Sequence, residues 1–177
     1  MLNSVLIDAG PLIALFDSSE KHHKGVRAFL KAHPYRYVST LAVFTEVSHM
    51  LDFSAKAQRD FYEWVMYKGV VISDINQNDM PRLLELTNKY ADLPMDCMRR
   101  VHTPPVRAKK KGMYPETNTL PKQPYPVRYA AGLVDFADAT LVITAEKTSI
   151  REIISLDNDF DIYRLPGKEH IRNVFRT

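Results

Sequence analysis

Four acidic residues carry the chemistry that this sequence advertises. Asp8 closes the apolar run Ser4-Val-Leu-Ile, and Glu46 lies inside the helical stretch that follows a second run at 36–39. Asp138 falls in the first turn of a late helical stretch, and Asp157 directly follows the apolar run 151–155. In open parallel α/β sheets, ligands gather beyond the carboxyl ends of the strands, which is where these acids are expected. Their wide spacing argues against a local salt-bridge ladder. Carboxylates brought together without cations repel one another and are forced towards protonation. A hard divalent cation, Mg2+ or Mn2+, removes that conflict, because it prefers oxygen ligands and keeps waters in its shell. Such a centre suits phosphodiester hydrolysis: it acidifies bound water and stabilises charge on the phosphoryl and leaving oxygens.

Taken singly, each acid also has a plainer explanation. Asp8 before Ala-Gly-Pro can initiate a turn, and Glu46 can be an exposed helical acid. Asp138 can support a helix terminus, and Asp157 and Asp159 in Leu-Asp-Asn-Asp-Phe can be loop acids. The functional weight lies in four coincidences in order. Competing chemistries lack their signatures, since there is no G-x-S-x-G elbow, no Walker A loop and no G-x-G-x-x-G. Cys97 has no patterned histidine partner, and the six histidines show no metal-ligand spacing.

The elements that must position these acids alternate along the chain. Apolar runs at 4–8, 36–39, 70–73, 151–155 and 171–175 read as short buried strands. Helices are expected over 11–16, after a Gly10-Pro11 break, and over 22–32, 55–67 and 136–147. Thr40 is expected to cap a helix through Leu51, Asp79 a helix through Tyr90, and Asp135 the late, well-patterned helix. Pro81 is tolerated in a first turn. Of Phe61, Tyr62 and Trp64, at least two are expected in the core, with dimer contacts as their other use. Asp74 after the third strand is read as a capping residue. This alternation defines an α/β fold with a central, mostly parallel sheet of about four to five short strands flanked by helices.

The chain has 177 residues and a net charge of +3, and that small number hides a strong asymmetry. Residues 97–134 hold Arg99, Arg100, Arg107, Lys109, Lys110, Lys111, Lys122 and Arg128 against one acid, Glu116, for +7, which leaves −4 on the rest. Six of the eleven prolines fall in the same segment, so a regular element is not expected there. It reads as an insertion within a single domain spanning 1–177. One cysteine permits no intramolecular disulfide, no apolar run approaches membrane-spanning length, and the start lacks a basic leader. A cytoplasmic protein without membrane contact is expected.

The motifs resemble those of the PIN-domain family, and within it the VapC-like ribonuclease toxins. Leu6-Ile-Asp8-Ala-Gly-Pro-Leu-Ile-Ala14-Leu is similar to the family's opening strand and turn, and Thr45-Glu46-Val to its second acidic motif. Asp135-Phe-Ala-Asp138-Ala-Thr-Leu-Val-Ile-Thr-Ala145-Glu is similar to the third, and Ile153-Ile-Ser-Leu-Asp157-Asn-Asp-Phe160 to the fourth. The likeness covers about 1–96 and 135–177. It implies a PIN-like fold and a Mg2+- or Mn2+-dependent endoribonuclease, the toxin of a toxin–antitoxin pair, with RNA as substrate. It further implies a homodimer, a small antitoxin partner, and metal ligation and water activation by Asp8, Glu46, Asp138 and Asp157, with Asp135 and Asp159 as secondary candidates.

The basic segment departs from the family pattern. Arg99, Arg100, Arg107, Lys109, Lys110 and Lys111 are candidates for RNA-backbone contacts, with Tyr114, Tyr125 and Tyr129 as stacking surfaces. The same cations can instead block the acidic groove, or the insertion can be tolerated without a role. Two other functions compete with the nuclease: a catalytically disabled PIN-like module that binds nucleic acid or a partner, and a small-molecule phosphomonoesterase. The latter is disfavoured, because no second aspartate follows Asp8 two residues on.

Overall fold

The computed structural model describes residues 3–90 and 136–175. Five parallel strands form one sheet in the order β3-β2-β1-β4-β5: β1 Ser4–Ile7, β2 Arg36–Thr40, β3 Val71–Ser73, β4 Glu152–Ile154 and β5 Arg172–Asn173. The central strand β1 is a near-continuous apolar run because both its faces are covered, and Val5, Leu6 and Ile7 are fully buried. The helices are α1 Ala9–Phe16, α2 His23–Ala32, α3 Leu41–Met50, α4 Ala55–Met66, α5 Met80–Lys89 and α6 Phe136–Thr148. Among the described residues, the five strands and six helices fall where the apolar runs and helical spacing put them, with ends shifted by at most two residues.

Three local expectations need correction. The Gly10-Pro11 pair breaks nothing: α1 starts at Ala9, so Pro11 sits in its first turn, where no intrahelical donor is lost. Asp79 takes the N-cap position of α5, but its side chain makes no capping bond there. Its carboxylate accepts the Asn76 backbone N–H at 2.9 Å, closing a capping box on the short 3-10 turn Gln77–Asp79, and it pairs with Lys147 at 2.9 Å. Nor is α6 one-faced, since every residue from Ala137 to Ala145 is buried. A helix apolar or small on all sides belongs in the middle of a fold, and α6 packs against β2, α3 and α5.

Thr40 behaves as the spacing predicts, its hydroxyl capping α3 at Val43 N–H (3.4 Å). The same hydroxyl meets that of Thr140 on α6 at 2.8 Å, so the cap also fastens the buried helix. On the other flank of α6, Arg82 grips Glu146 through Nε and Nη2, at 2.7 Å for the shortest contact, tying α5 to α6. Phe61 is buried, Trp64 half-buried and Tyr62 exposed. Trp64 lies against Phe16 and Tyr37, and its indole covers Gly69. A Cβ at Gly69 would come within 2.2 Å of that ring. Gly69→Ala is therefore expected to destabilise the fold by about 1–3 kcal/mol through overpacking, read from the midpoint of urea unfolding.

Candidate active site

Asp8 stands one residue beyond β1 and is the N-cap of α1. Its Oδ1 accepts the Ala9 N–H at 2.6 Å, and its backbone N–H donates to the Ile154 carbonyl of β4 at 3.1 Å. The side chain is 6% exposed. A charge there is costly, and burial pushes the carboxyl from its ordinary value of 3.8 up to about 7. Neighbouring Asp157 adds to the rise, and Glu46 adds a smaller amount; the bonds from Ala9 and Ser155 oppose it. Two of the other expected acids, Asp157 and Glu46, thus act electrostatically on Asp8.

The turn after β4 is built by residues without local sequence signatures. Ser155 Oγ donates to Asp8 Oδ2 at 3.0 Å and accepts the Asp157 N–H at 3.2 Å, joining the acids of two strands. Asn173 on β5 holds the same turn: its Nδ2 donates to the carbonyls of Ser155 (3.0 Å) and Asp157 (3.4 Å), and its Oδ1 accepts the Ser155 N–H (3.3 Å). Asp157 Oδ1 accepts the Asp159 N–H at 3.1 Å, shaping the turn itself. A cavity of about 310 Å3 opens here, lined by Ser155, Asp157, Asn158, Asp161 and Asn173 among others.

Asp138 is 8% exposed in the first turn of α6. Its Oδ2 accepts a hydrogen bond from the Tyr163 hydroxyl at 3.0 Å. Burial raises that phenol far above its ordinary range, followed by the charge of Asp138 and, further off, of Asp159 and Asp157. Tyr163 therefore stays a donor at any physiological pH. Asp135 and the basic candidates Arg99, Arg100, Arg107, Lys109, Lys110 and Lys111 lie outside the described residues.

Every side chain contributed by Asp8, Glu46, Asp138 and Asp157 offers hard carboxylate oxygen, and the rise at Asp8 comes first from burial and then from the negative charge of Asp157. That donor chemistry fits a hard divalent cation better than a soft one. Among the described residues, no three His, Cys, Asp or Glu side chains stand close enough together to hold an ion as they are placed.

An acid-rimmed α/β sheet of this order defines a fold class, and comparison with known proteins assigns it. The PIN domain model matches residues 5–102, more than half the chain, and the protein belongs to the PIN-domain family. The matched stretch contains Asp8 and Glu46 and ends before Asp138 and Asp157. Among solved structures the fold is similar to the Mycobacterium tuberculosis toxin VapC20, described as cleaving the sarcin-ricin loop. The two share 13% sequence identity with a TM-score of 0.56, over 89% of this chain and 93% of that one. No curated protein matches. Among the described residues, no helix is long and apolar enough to cross a membrane.

Proposed function

We propose that this PIN-domain protein is a metal-dependent endoribonuclease and the toxin of a VapBC-type toxin–antitoxin pair. The observation that carries the reading is Asp8: a buried carboxylate, capping a helix at the sheet's carboxyl rim, under the negative charge of Asp157 and Glu46. Buried carboxylates under like charge cluster at functional sites, where a cation or a reaction uses them. Asp8, Glu46, Asp138 and Asp157 would hold Mg2+ or Mn2+, with Asp135 and Asp159 secondary. The ion would supply Lewis acidity and an activated water for attack on the phosphodiester. The chain's own part is orientation. Ala9 N–H and Ser155 hold both Asp8 oxygens, and Ser155 with Asn173 sets the turn that carries Asp157. RNA as substrate, a small antitoxin and a homodimer are what likeness to the VapC toxins would imply, and a single cysteine fits action in the cytoplasm.

The test is incubation of the intact protein with single-stranded RNA in Mg2+ or Mn2+, with and without EDTA. Cleavage that depends on the metal supports the proposal. A second reading is favoured by the lack, among the described residues, of three potential ligands close enough to hold an ion. On that reading the protein is a disabled PIN-like module that binds nucleic acid or a partner, and it would retain RNA in saturating Mn2+ without turnover. Hydrolysis of an aryl phosphate but not of RNA would point instead to a phosphomonoesterase.

The domain spanning 1–177 carries its +7 segment three residues ahead of Asp138, and we assign that segment to electrostatic capture of the RNA backbone. With eight cations, of which Arg99, Arg100, Arg107 and Lys109–Lys111 are the densest group, the logarithm of RNA affinity should fall with the logarithm of salt at a slope approaching about −5. Removal of 97–134 should flatten that slope. Higher activity after the deletion would instead identify the segment as a blocker, and an unchanged slope and rate would make it inert.

A further inference from the structure

Tyr163 fits neither the acidic motifs nor a simple packing role. It is 3% exposed, and its ring is held edge-to-face by Phe160 at 5.5 Å and Tyr90 at 5.2 Å between centroids. The adjacent backbone is fixed as well, because the Tyr90 hydroxyl accepts the Arg164 N–H at 2.9 Å. Two rings and a hydrogen bond therefore aim one hydroxyl, and it donates to Asp138 Oδ2 at 3.0 Å. Phenylalanine would fill this space equally well. A phenol buried here costs desolvation unless its hydroxyl is bonded, and the partner it has is a carboxylate of the proposed centre.

We propose that Tyr163 is a positioning residue that orients the Asp138 carboxylate towards the divalent cation. This rests on Asp138 being a ligand, as proposed above. An aspartate on the first turn of a helix can rotate about two side-chain bonds, and a fixed donor on one oxygen selects one orientation. Outer partners of this kind change metal affinity by about 10–100-fold when they are removed.

The experiment is Mn2+ titration by calorimetry of the full chain without RNA, comparing the native protein with Tyr163→Phe, alongside RNA cleavage as a function of Mn2+. Tyr163→Phe keeps both ring contacts and should weaken Mn2+ binding by about 10–100-fold. The metal concentration for half-maximal cleavage should rise in parallel, while the rate at saturating Mn2+ approaches the native value. Titration in the cold, well below the variant's melting temperature, keeps the comparison between folded proteins. In an Asp138→Asn background, Tyr163→Phe should have no further effect on Mn2+ affinity.

Unchanged Mn2+ affinity in Tyr163→Phe overturns the inference and leaves the ligand assignment standing, as does a lowered plateau rate at unchanged affinity. An equal effect with and without Asp138 also overturns it. A native protein that takes up no Mn2+ removes the ligand assignment, and the inference falls with it.

Discussion

Asp8→Asn is expected to make the protein more stable and inactive at once. Asparagine keeps the cap, since its side-chain oxygen can still accept the Ala9 N–H, and its amide can donate to Ser155 Oγ. What disappears is a buried charge facing Asp157 and Glu46. Thermal unfolding in EDTA at pH 8 should therefore show a higher Tm than the native chain, by several degrees for a gain of a few kcal/mol. RNA cleavage should fall by more than the roughly 10–100-fold that follows loss of an outer partner of a metal ligand, because here the altered group is a proposed ligand itself. Full activity in this variant would remove Asp8 from the mechanism. A lower Tm would mean that the carboxylate is structural after all.

The second large effect concerns pH in the absence of metal. The Asp8 carboxyl has a folded value of about 7 against 3.8 unfolded, so the folded state binds its proton more tightly between those limits. Its contribution to stability is thus fully present below pH 3.8 and is lost as pH rises through 7. Three pH units of difference correspond to about 4 kcal/mol at most. Denaturant unfolding in EDTA should show stability declining from pH 5 to pH 8, a trend absent from Asp8→Asn. Mn2+ at about 100 times its dissociation constant should return about 2.7 kcal/mol at pH 8. A flat profile in EDTA, or no recovery with Mn2+, would break the link drawn between the buried acid and a cation.

The arrangement of strands and helices was legible because its signals are local. Ser4–Ile7 is apolar throughout as a doubly covered strand must be, and Thr40 precedes the 3–4 rhythm of α3 as a cap should. The four acids became candidates through the same kind of local signal: Asp8 and Asp157 closely follow short strands, while Glu46 and Asp138 lie within helical stretches. Ser155, Asn173 and Tyr163 were not legible, since they act across 147, 18 and 25 residues respectively, and no periodicity records such pairings. Asp79 shows the opposite failure. Its place before a helix was read correctly, but Asn76 one turn earlier competes for the same carboxylate and wins it. The even burial of α6 was missed because alanines and threonines on every side still leave a helical rhythm of larger residues.

Asn173 lies on the last strand, yet three of its side-chain hydrogen bonds grip the turn that bears Asp157. A change at Asn173 is therefore expected to be felt at Asp157, one strand away, through the two carbonyls and the one N–H that this amide holds.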